Sequence, residues 1–534
     1  MKRGRDETEG GGDAQGGQAV VGKEVEQRDE GRQDGATPPK KQRQDSEHPG
    51  EPQEAAAAAA GSGGGGGGST AAAEPEDDEE DAPLHKNFRM SSAVRRGAEC
   101  PYLDTISRQN LDFDFEKCCS VTLSGHNVYA CLVCGKYFQG RGPNTQAYTH
   151  ALEVGHHMFM KVENGRVYCL PDMYEVQDRS LADIQYVLNP TFTPEDVAKL
   201  DSGVSWARAL DGSEYMPGLV GLNNLKLTDY ANVVVQALIR VHPIRNFFLR
   251  PENYASCNSQ LVQRFGELVR KVWNSRAFKG QVSPHEFMQA VMAASGKRFI
   301  IDKQSDPVDF LSWLINTLHL DLTGGKRKKR SVITDCLQGE LEVVTLAGTG
   351  KAKDSAEDAV DLVPFLMLGL DLPAAPLFKD ALEKVIIPQV PIFDILHKFD
   401  GVTVNEDIKS GRRRFRITRL PRFLVLHMRR FLKNQFFIEK NPTIVNFPVK
   451  NLELSACIPV PKGRNGEPAP SKYDLVANMV HEGKAGEGLY RVHIHRKVED
   501  IWYEVQDLRV TEVLPQMVAL SETYLQIYEL QGAQ

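Results

Sequence analysis

Two cysteines and two histidines in the amino-terminal half of the chain have the types and the spacing of a metal site. Cys131 and Cys134 form a Cys-x-x-Cys pair, 15 residues separate Cys134 from His150, and five residues separate His150 from His156. Two thiolates on one turn can hold one face of a tetrahedral ion, and two imidazoles can close the other face. Because the protein fills all four positions, the pattern predicts one structural Zn²⁺ ion and not a catalytic ion that keeps a water ligand.

The remaining thiols give no reason to expect disulfides. The chain has nine cysteines and no apolar signal segment at its amino terminus, and this combination predicts a soluble protein of a reducing compartment. Irregular spacing of the other cysteines near the metal site favours packed thiols. A second zinc site is an open alternative, built from Cys100, Cys118, Cys119 and Cys169 with His126 or His157.

The residues around this array resemble the zinc finger that many ubiquitin-specific proteases carry. The resemblance is carried by residues 100–102, 131–135, 147–150, 155–156 and 167–169. Three positions depart from the family, since Tyr102, Gln139 and Asp172 stand where a further histidine or cysteine ligand is common. These departures favour a single zinc ion. The family's finger usually binds the free carboxyl tail of ubiquitin, so ubiquitin is an open alternative as a partner.

A longer resemblance to the same family covers residues 218–531. Five ordered motifs carry it, at residues 221–238, 364–373, 420–431, 473–490 and 502–507. The first motif resembles the family's cysteine box, and the last two resemble its histidine box. The resemblance implies a papain-like ubiquitin-specific protease fold, with a cleft between a helical lobe and a strand-rich lobe.

The catalytic groups that the family would use are missing from this chain. Hydrolysis of an isopeptide bond by this route needs a thiolate, an imidazole base, a group that orients the base, and an oxyanion donor. The matching positions hold Asp229, Leu489, Gln506 and Leu227, in that order. Cys257 lies 28 residues beyond Asp229, outside the box that aims the nucleophile. Loss of one triad member costs on the order of 10⁴ to 10⁶ in rate, so we expect no hydrolase activity.

The spacing of apolar residues, which predicts the helices and strands that position these residues, changes along the chain. Apolar residues recur at helical spacing in residues 229–240, 261–273, 283–294 and 306–320. Strand-like patterns follow at residues 414–417, 423–428, 501–505 and 524–528, and a short strand is also predicted at 183–190. Ser283 and Asp306 each precede a proline and are predicted helix caps. A helical part followed by a strand-rich part predicts an α+β fold.

These patterns divide the chain into four predicted parts. They are a disordered low-complexity arm at 1–95, a small α/β zinc finger domain at 96–199, a connector at 200–217, and a catalytically inactive protease-like domain at 218–531. The arm is assigned as disordered because residues 1–87 contain no Phe, Trp or Tyr and include runs of alanine and glycine. Basic clusters at residues 2–5 and 38–43 of the arm predict import into the nucleus.

Charge and hydropathy limit the expected partners. A formal charge of −7 gives no reason to expect that the whole chain coats nucleic acid, and no DNA partner is predicted. The sequence contains no run of 18 apolar residues, so no membrane span is predicted.

One splicing-associated member of the ubiquitin-specific protease family is particularly similar, through Asp229-Tyr230 and residues 387–391 and 439–448. This resemblance implies a non-catalytic nuclear scaffold in pre-mRNA splicing, with proteins of the spliceosomal tri-snRNP as partners. Three alternatives stay open. They are a deubiquitinase with unusual chemistry, a ubiquitin-binding regulator, and direct RNA contact through the basic run at 326–330.

Overall fold

The computed structural model describes residues 94–96, 100–203, 205–346, 359–374, 387–407, 411–433, 438–460, 466 and 468–532. All of them belong to one compact unit that extends over Glu76–Gln534. Apart from residues 94 and 95, which begin a short strand, the predicted disordered arm lies outside the described residues. No helix in the described ranges has the length and apolar character needed to cross a membrane.

The first region folds around a six-stranded sheet of order β1-β6-β5-β4-β2-β3. Its elements are β1 (Val94–Arg96), β2 (Val128–Cys131), β3 (Tyr137–Gln139), α1 (Gln146–Val154), β4 (Met158–Lys161), β5 (Val167–Cys169), β6 (Tyr174–Gln177), α2 (Ala182–Leu188) and α3 (Pro194–Lys199). The strand predicted at 183–190 is wrong, because α2 occupies that segment. Ile184 and Leu188, four positions apart, are both buried on one face of this helix.

The next region is mainly helical. Its elements are β7 (Ala207–Arg208), β8 (Glu214–Tyr215), β9 (Gly221–Leu222), α4 (Asp229–Leu238), α5 (His242–Phe248), α6 (Gln260–Val272), β10 (Gln281–Val282), α7 (His285–Ala294), α8 (Pro307–Leu322) and α9 (Val332–Leu337). The predicted cap at Asp306 is confirmed, since its carboxylate accepts the backbone N–H of Val308 at 2.7 Å. The predicted cap at Ser283 is wrong. Pro284 precedes the first helical residue of α7, and the Ser283 N–H donates to Asp114 at 3.0 Å.

The last region is rich in strands. Its elements are β11 (Gly339–Thr345), β12 (Ala359–Phe365), β13 (Leu368–Asp371), β14 (Gln389–Pro391), α10 (Ile392–Leu396), β15 (Asp400–Asp407), β16 (Gly411–Arg419), β17 (Phe423–Arg429), β18 (Phe431–Lys433), β19 (Ile438–Lys440), β20 (Ile444–Asn446), β21 (Leu452–Glu453), β22 (Lys472–Glu482), β23 (Leu489–Arg496), β24 (Ile501–Gln506), β25 (Arg509–Val513), α11 (Pro515–Ala519) and β26 (Thr523–Leu530). The main sheet has the order β13-β17-β26-β22-β23-β24-β25, with β21 paired to β22. A separate four-stranded sheet has the order β12-β11-β16-β15.

Helix α4 joins the helical lobe to the main sheet. All ten of its residues are buried, as expected for a helix that is covered on every side. Val233 and Val234 of this helix belong to the same apolar core as Ala477 of β22 and Val492 of β23. The predicted α+β fold is therefore confirmed, and the first residue of α4, Asp229, lies where the two lobes meet.

A buried network of ion pairs connects the first region to α6. Lys271 Nζ lies 3.2 Å from Asp114 Oδ1 and donates to the carbonyl oxygen of Phe113 at 2.9 Å. Lys117 Nζ lies 3.1 Å from Glu267 Oε1. Burial alone would raise the pKa of Glu267, but Lys271 and Lys117 hold that pKa well below its usual range. These contacts dock the first region onto the helical lobe through charged groups that have little access to water.

Candidate metal centre and central cleft

The four predicted metal ligands lie together although they come from a strand, a turn and a helix. Cys131 ends β2, Cys134 lies in the following turn, His150 is on α1, and His156 follows that helix. Their ligand atoms all lie within 4.8 Å of one another. The Cys134 Sγ–His150 Nε2 and Cys131 Sγ–His156 Nδ1 distances are 3.5 and 3.6 Å. Zinc bonds of about 2.3 Å to sulfur and about 2.0 Å to nitrogen, at tetrahedral angles, place the donors about 3.5 Å apart, so this set fits Zn²⁺.

Two glycines give the backbone the turns that this site needs. Gly135 follows Cys134 with φ of +75°, and a Cβ there would lie 2.0 Å from the carbonyl oxygen of Asn110. Gly155 ends α1 in the left-handed region with φ of +73°. A glycine in this position terminates a helix and redirects the chain, and the redirected chain brings His156 back towards His150.

Without a cation, the surroundings of this site favour the neutral forms of Cys131 and His150. Burial raises the pKa of the Cys131 thiol to about 12, although hydrogen bonds from the backbone N–H groups of Cys134 and Val133 act in the opposite direction. Burial, followed by the adjacent His156, lowers the pKa of His150. A metal ion would stabilise both cysteines as thiolates and both histidines as neutral ligands. Phe138 stacks on His150 with ring centroids 4.2 Å apart and fixes the orientation of that imidazole.

The other cysteines of this region form no comparable cluster in the part of the chain that the structure describes. There, Cys131, Cys134, His150 and His156 are the one group of His, Cys, Asp or Glu residues close enough to share an ion. Cys100 and Cys169 are buried, and the Tyr174 hydroxyl donates to Cys100 Sγ at 3.3 Å. The described residues thus give no support to a second zinc site, and Cys100 and Cys169 are packed thiols.

Asp229 is buried, with 2% of its surface exposed. Its carboxylate accepts hydrogen bonds from Gln304 Nε2 at 3.0 and 2.8 Å and from the Tyr490 backbone N–H at 3.0 Å. The same Gln304 nitrogen donates to the carbonyl oxygen of Gly488 at 2.9 Å. Burial raises the pKa of Asp229, while the hydrogen bonds from Gln304 and Tyr490 act in the opposite direction. The carboxylate therefore connects the start of α4 to β23 through hydrogen bonds.

The remaining cleft positions carry no acid–base group. Leu489 is the first residue of β23 and precedes Tyr490, and its exposed fraction is 54%. Leu227 lies before α4 and is 46% exposed. Gln506 ends β24 and is half-buried. Neither leucine side chain can accept a proton or donate a hydrogen bond.

Cys257 lies away from this cleft. Its Sγ donates to the carbonyl oxygen of Asp321, in the last turn of α8. Gln304, which contacts Asp229, lies just before the other end of the same helix. Helix α8 has 16 residues, and a helix of that length extends over about 24 Å. Cys257 and Asp229 therefore lie at opposite ends of α8, and the Cys257 thiol is not part of the cleft around Asp229.

The sequence did not single out two polar residues that organise the cleft, Gln304 and Asp507. Asp507 accepts hydrogen bonds from Asn224 Nδ2 at 3.0 Å and Asn232 Nδ2 at 2.8 Å. It follows Gln506 directly, so its place at the end of the last family motif was the signal available in the sequence. Gln304 lies in a polar stretch without periodicity, and no local pattern distinguishes it.

The fold and the cleft define the class of protein. The family model described as "Ubiquitin carboxyl-terminal hydrolase" matches residues 220–528, and the model described as "Zn-finger in ubiquitin-hydrolases and other protein" matches residues 118–181. The chain belongs to the ubiquitin carboxyl-terminal hydrolase family, and the family resemblance of the sequence is confirmed.

Within this family, individual proteins match most of the chain. Ubiquitin carboxyl-terminal hydrolase 39 of Homo sapiens is 50% identical over an alignment of 466 residues, and the match covers 83% of this chain and 82% of that protein. Probable mRNA-splicing protein ubp10 of Schizosaccharomyces pombe is 44% identical over an alignment of 444 residues, and the match covers 80% of this chain and 88% of that protein. A structure described as that of an essential yeast splicing factor has a TM-score of 0.66 and 29% identity, and the match covers 80% of this chain and 99% of that one.

Proposed function

We propose that this chain is a non-catalytic scaffold in pre-mRNA splicing, which supports assembly or maintenance of the spliceosomal tri-snRNP through protein–protein contacts. Two of the similar proteins are described as splicing proteins, and one of them is 44% identical to this chain over 80% of its length. Similarity at this level over both the finger and the protease-like region supports a shared role for the whole described part of the chain.

The buried, hydrogen-bonded carboxylate of Asp229 is the observation that supports a non-catalytic role. A carboxylate that attacked an amide carbonyl would form an anhydride, which readily reverts, and this carboxylate is already bonded to Gln304 and Tyr490. The exposed Leu489 offers no base to move a proton. The alternative function is a deubiquitinase, which the printed name of the human relative suggests, and it would need all of these deficits to be compensated.

For the finger we propose one Zn²⁺ ion held by Cys131, Cys134, His150 and His156. The 3.5 and 3.6 Å sulfur–nitrogen distances support tetrahedral coordination by four protein ligands. An ion coordinated in this way contributes folding free energy and has no open position for a substrate. Its role is then to keep the six-stranded sheet and α1 in one arrangement.

The remaining assignments concern location and partners. We propose a nuclear location, on the basis of the splicing relatives and the basic clusters at residues 2–5 and 38–43, which lie outside the described residues. Tri-snRNP proteins are the proposed partners. Ubiquitin binding without cleavage and RNA contact through Lys326 to Arg330 are alternatives, and all five residues of that run are exposed.

The test replaces the endogenous protein with two variants, Asp229→Ala and a Cys131→Ser/Cys134→Ser finger variant, and measures tri-snRNP levels and intron retention. A scaffold uses its outer surfaces, so Asp229→Ala should preserve splicing as long as the protein accumulates normally, whereas loss of the finger should reduce tri-snRNP levels. If Asp229→Ala abolishes splicing while fold and particle binding stay normal, the cleft has a chemical role and the scaffold proposal is wrong.

A further inference from the structure

A cavity of about 370 Å³ lies apart from the metal centre and from Asp229. One wall comes from Leu200 and Asp201, at the beginning of the predicted connector. Trp273, which follows α6, and Arg496 and Lys497, at the end of β23, form other parts of the lining. The cavity is therefore located where the connector, the helical lobe and the main sheet meet.

Positive charge dominates the lining of this cavity. Its cations are Arg240, Arg245, Arg496 and Lys497, and its carboxylates are Asp201 and Glu529. His242 and His495 also line it, but burial lowers the pKa of both, so neither adds a positive charge at neutral pH. Three of these cations are paired with carboxylates, Arg245 with Asp201, Lys497 with Glu529, and Arg496 with Glu499 beside the lining. Among the described residues, positive charge therefore exceeds negative charge by one, through Arg240, and an excess of positive charge in a concave site attracts anions.

The arginines are held close to one another. The guanidinium carbons of Arg245 and Arg240 lie 4.6 and 5.3 Å from the centre of the Trp273 ring. Arg240 donates to the carbonyl oxygens of Gln236 and Gly218, and in the described part of the chain no carboxylate forms an ion pair with it. Burial, followed by repulsion from Arg245 and Arg496, lowers the pKa of Arg240 to about 9. An anion in the cavity would relieve this repulsion.

Two buried donors in the lining also lack a hydrogen-bond partner among the described residues. They are the indole Nε1 of Trp273 and Nη1 of Arg496. A buried N–H group without a partner is unfavourable, and the usual explanation is a bound ligand, a water or an alternative arrangement. Both groups donate and neither accepts, so a ligand that satisfied them would present acceptor oxygens.

We propose that this cavity binds a phosphate group. Guanidinium groups match the geometry and charge of phosphate oxygens, and three arginines here surround one small volume. In the structure, the Asp201 carboxylate binds the guanidinium group of Arg245. Its Oδ1 and Oδ2 lie 2.8 and 2.5 Å from the two terminal nitrogens of Arg245. The Asp201 side chain is 59% exposed. A phosphate group would compete with this carboxylate, and binding would therefore be coupled to the connector that follows the finger.

Removal of a cation from the cavity should weaken phosphate binding by the full-length protein, and removal of the Asp201 carboxylate should strengthen it. Inorganic phosphate is titrated by calorimetry at constant ionic strength, with chloride as the replaced anion. Arg496→Gln should weaken phosphate binding about ten-fold, the usual effect of removing one charge-assisted hydrogen bond. Asp201→Asn removes the competing carboxylate and should tighten binding several-fold. Lys497→Gln changes a side chain that is 53% exposed and is paired with Glu529, and it should also weaken binding.

Lys328→Gln is the matched control, since it removes one exposed positive charge outside the cavity. Saturable binding that changes with the cavity variants and not with this control supports the proposal. Equal weakening by Lys328→Gln, no effect of Asp201→Asn, or no saturation below about 10 mM phosphate would overturn it. Comparison of inorganic phosphate with phosphoserine then distinguishes a free anion from a phosphomonoester. Binding of a short RNA without binding of either phosphate would also contradict the proposal.

Discussion

Gln304 donates hydrogen bonds to both carboxylate oxygens of Asp229, with Nε2–oxygen distances of 3.0 and 2.8 Å. The same amide nitrogen also donates to the carbonyl oxygen of Gly488, the residue directly before Leu489. The Asp229 carboxylate is thus an acceptor that connects the start of α4 to β23. These hydrogen bonds join the helical lobe to the strand-rich lobe.

Asp229→Ala should lower the free energy of unfolding by about 1–3 kcal/mol, because the buried Tyr490 N–H would lose its acceptor and the Gln304 amide would keep only the Gly488 carbonyl oxygen. Denaturant unfolding of the purified protein measures this change. Leu489→Ala is a suitable control, since that side chain is 54% exposed and its loss should matter little. In a double-mutant cycle with Gln304→Ala, the two losses should be less than additive. Full additivity, or an unchanged stability for Asp229→Ala, would contradict the linking role.

Asp229→Cys alone should give no cleavage of ubiquitin conjugates and no labelling by a ubiquitin probe with a carboxyl-terminal electrophile. A thiol at 229 would lack a base, because Leu489 cannot take its proton. The triple variant Asp229→Cys/Leu489→His/Gln506→Asn should still fall about 10²–10³-fold below the quadruple variant that adds Leu227→Asn, since an oxyanion donor is worth that much in rate. Labelling of the unchanged protein that disappears in Cys257→Ser would instead reveal a nucleophile elsewhere.

The purified protein should contain one zinc ion per chain, and Cys131→Ser should lose it. Because burial raises the pKa of Cys131 to about 12, protons compete with the metal for that sulfur. Zinc affinity should therefore fall as the pH is lowered, and it should rise again when the pH is restored. Elemental analysis and a chelator competition at several pH values measure this dependence. Cys257→Ser removes a thiol outside the cluster and should leave the zinc content unchanged.

Removal of zinc should unfold the finger and also weaken the region that follows it. Lys271 would lose Asp114 and the Phe113 carbonyl oxygen, and a buried ammonium group would keep only Glu267, at 3.2 Å. We therefore expect the melting temperature of the protease-like region to fall on chelation without complete unfolding. A melting temperature that chelation leaves unmoved would show that the two regions are energetically independent.

Lys271→Ala should destabilise the protein by about 3–5 kcal/mol at pH 7, as expected when one partner leaves a buried ion network. Its effect should shrink in acid. The pKa of Glu267 is lower in the folded protein than its usual value, so its stabilising contribution is present above the usual carboxyl range and is lost as the pH falls. Urea unfolding of both proteins at pH 7 and pH 4 measures the difference. An equal effect at both pH values would contradict this assignment.

The sequence by itself determined the family, the four candidate metal ligands and most of the helices near the cleft. These features are encoded locally, in the Cys-x-x-Cys pair, in the order of short motifs, and in apolar spacing such as that of α4 and α6. Local patterns also explain an error. Residues 183–190 include several residues that favour strands, but Ile184 and Leu188 lie on one helical face and are both buried in the finger core.

Only the tertiary structure decided what Asp229 does. Its hydrogen-bond donors, Gln304 and Tyr490, are 75 and 261 positions away in the chain. The contact between Lys271 and Phe113 joins residues 158 positions apart, and the cavity gathers Asp201, Arg245 and Arg496 from separate elements. Periodicity and spacing act over one or two turns of helix or strand. They cannot specify which distant polar groups meet, because that choice depends on how the buried faces of all the elements pack against one another.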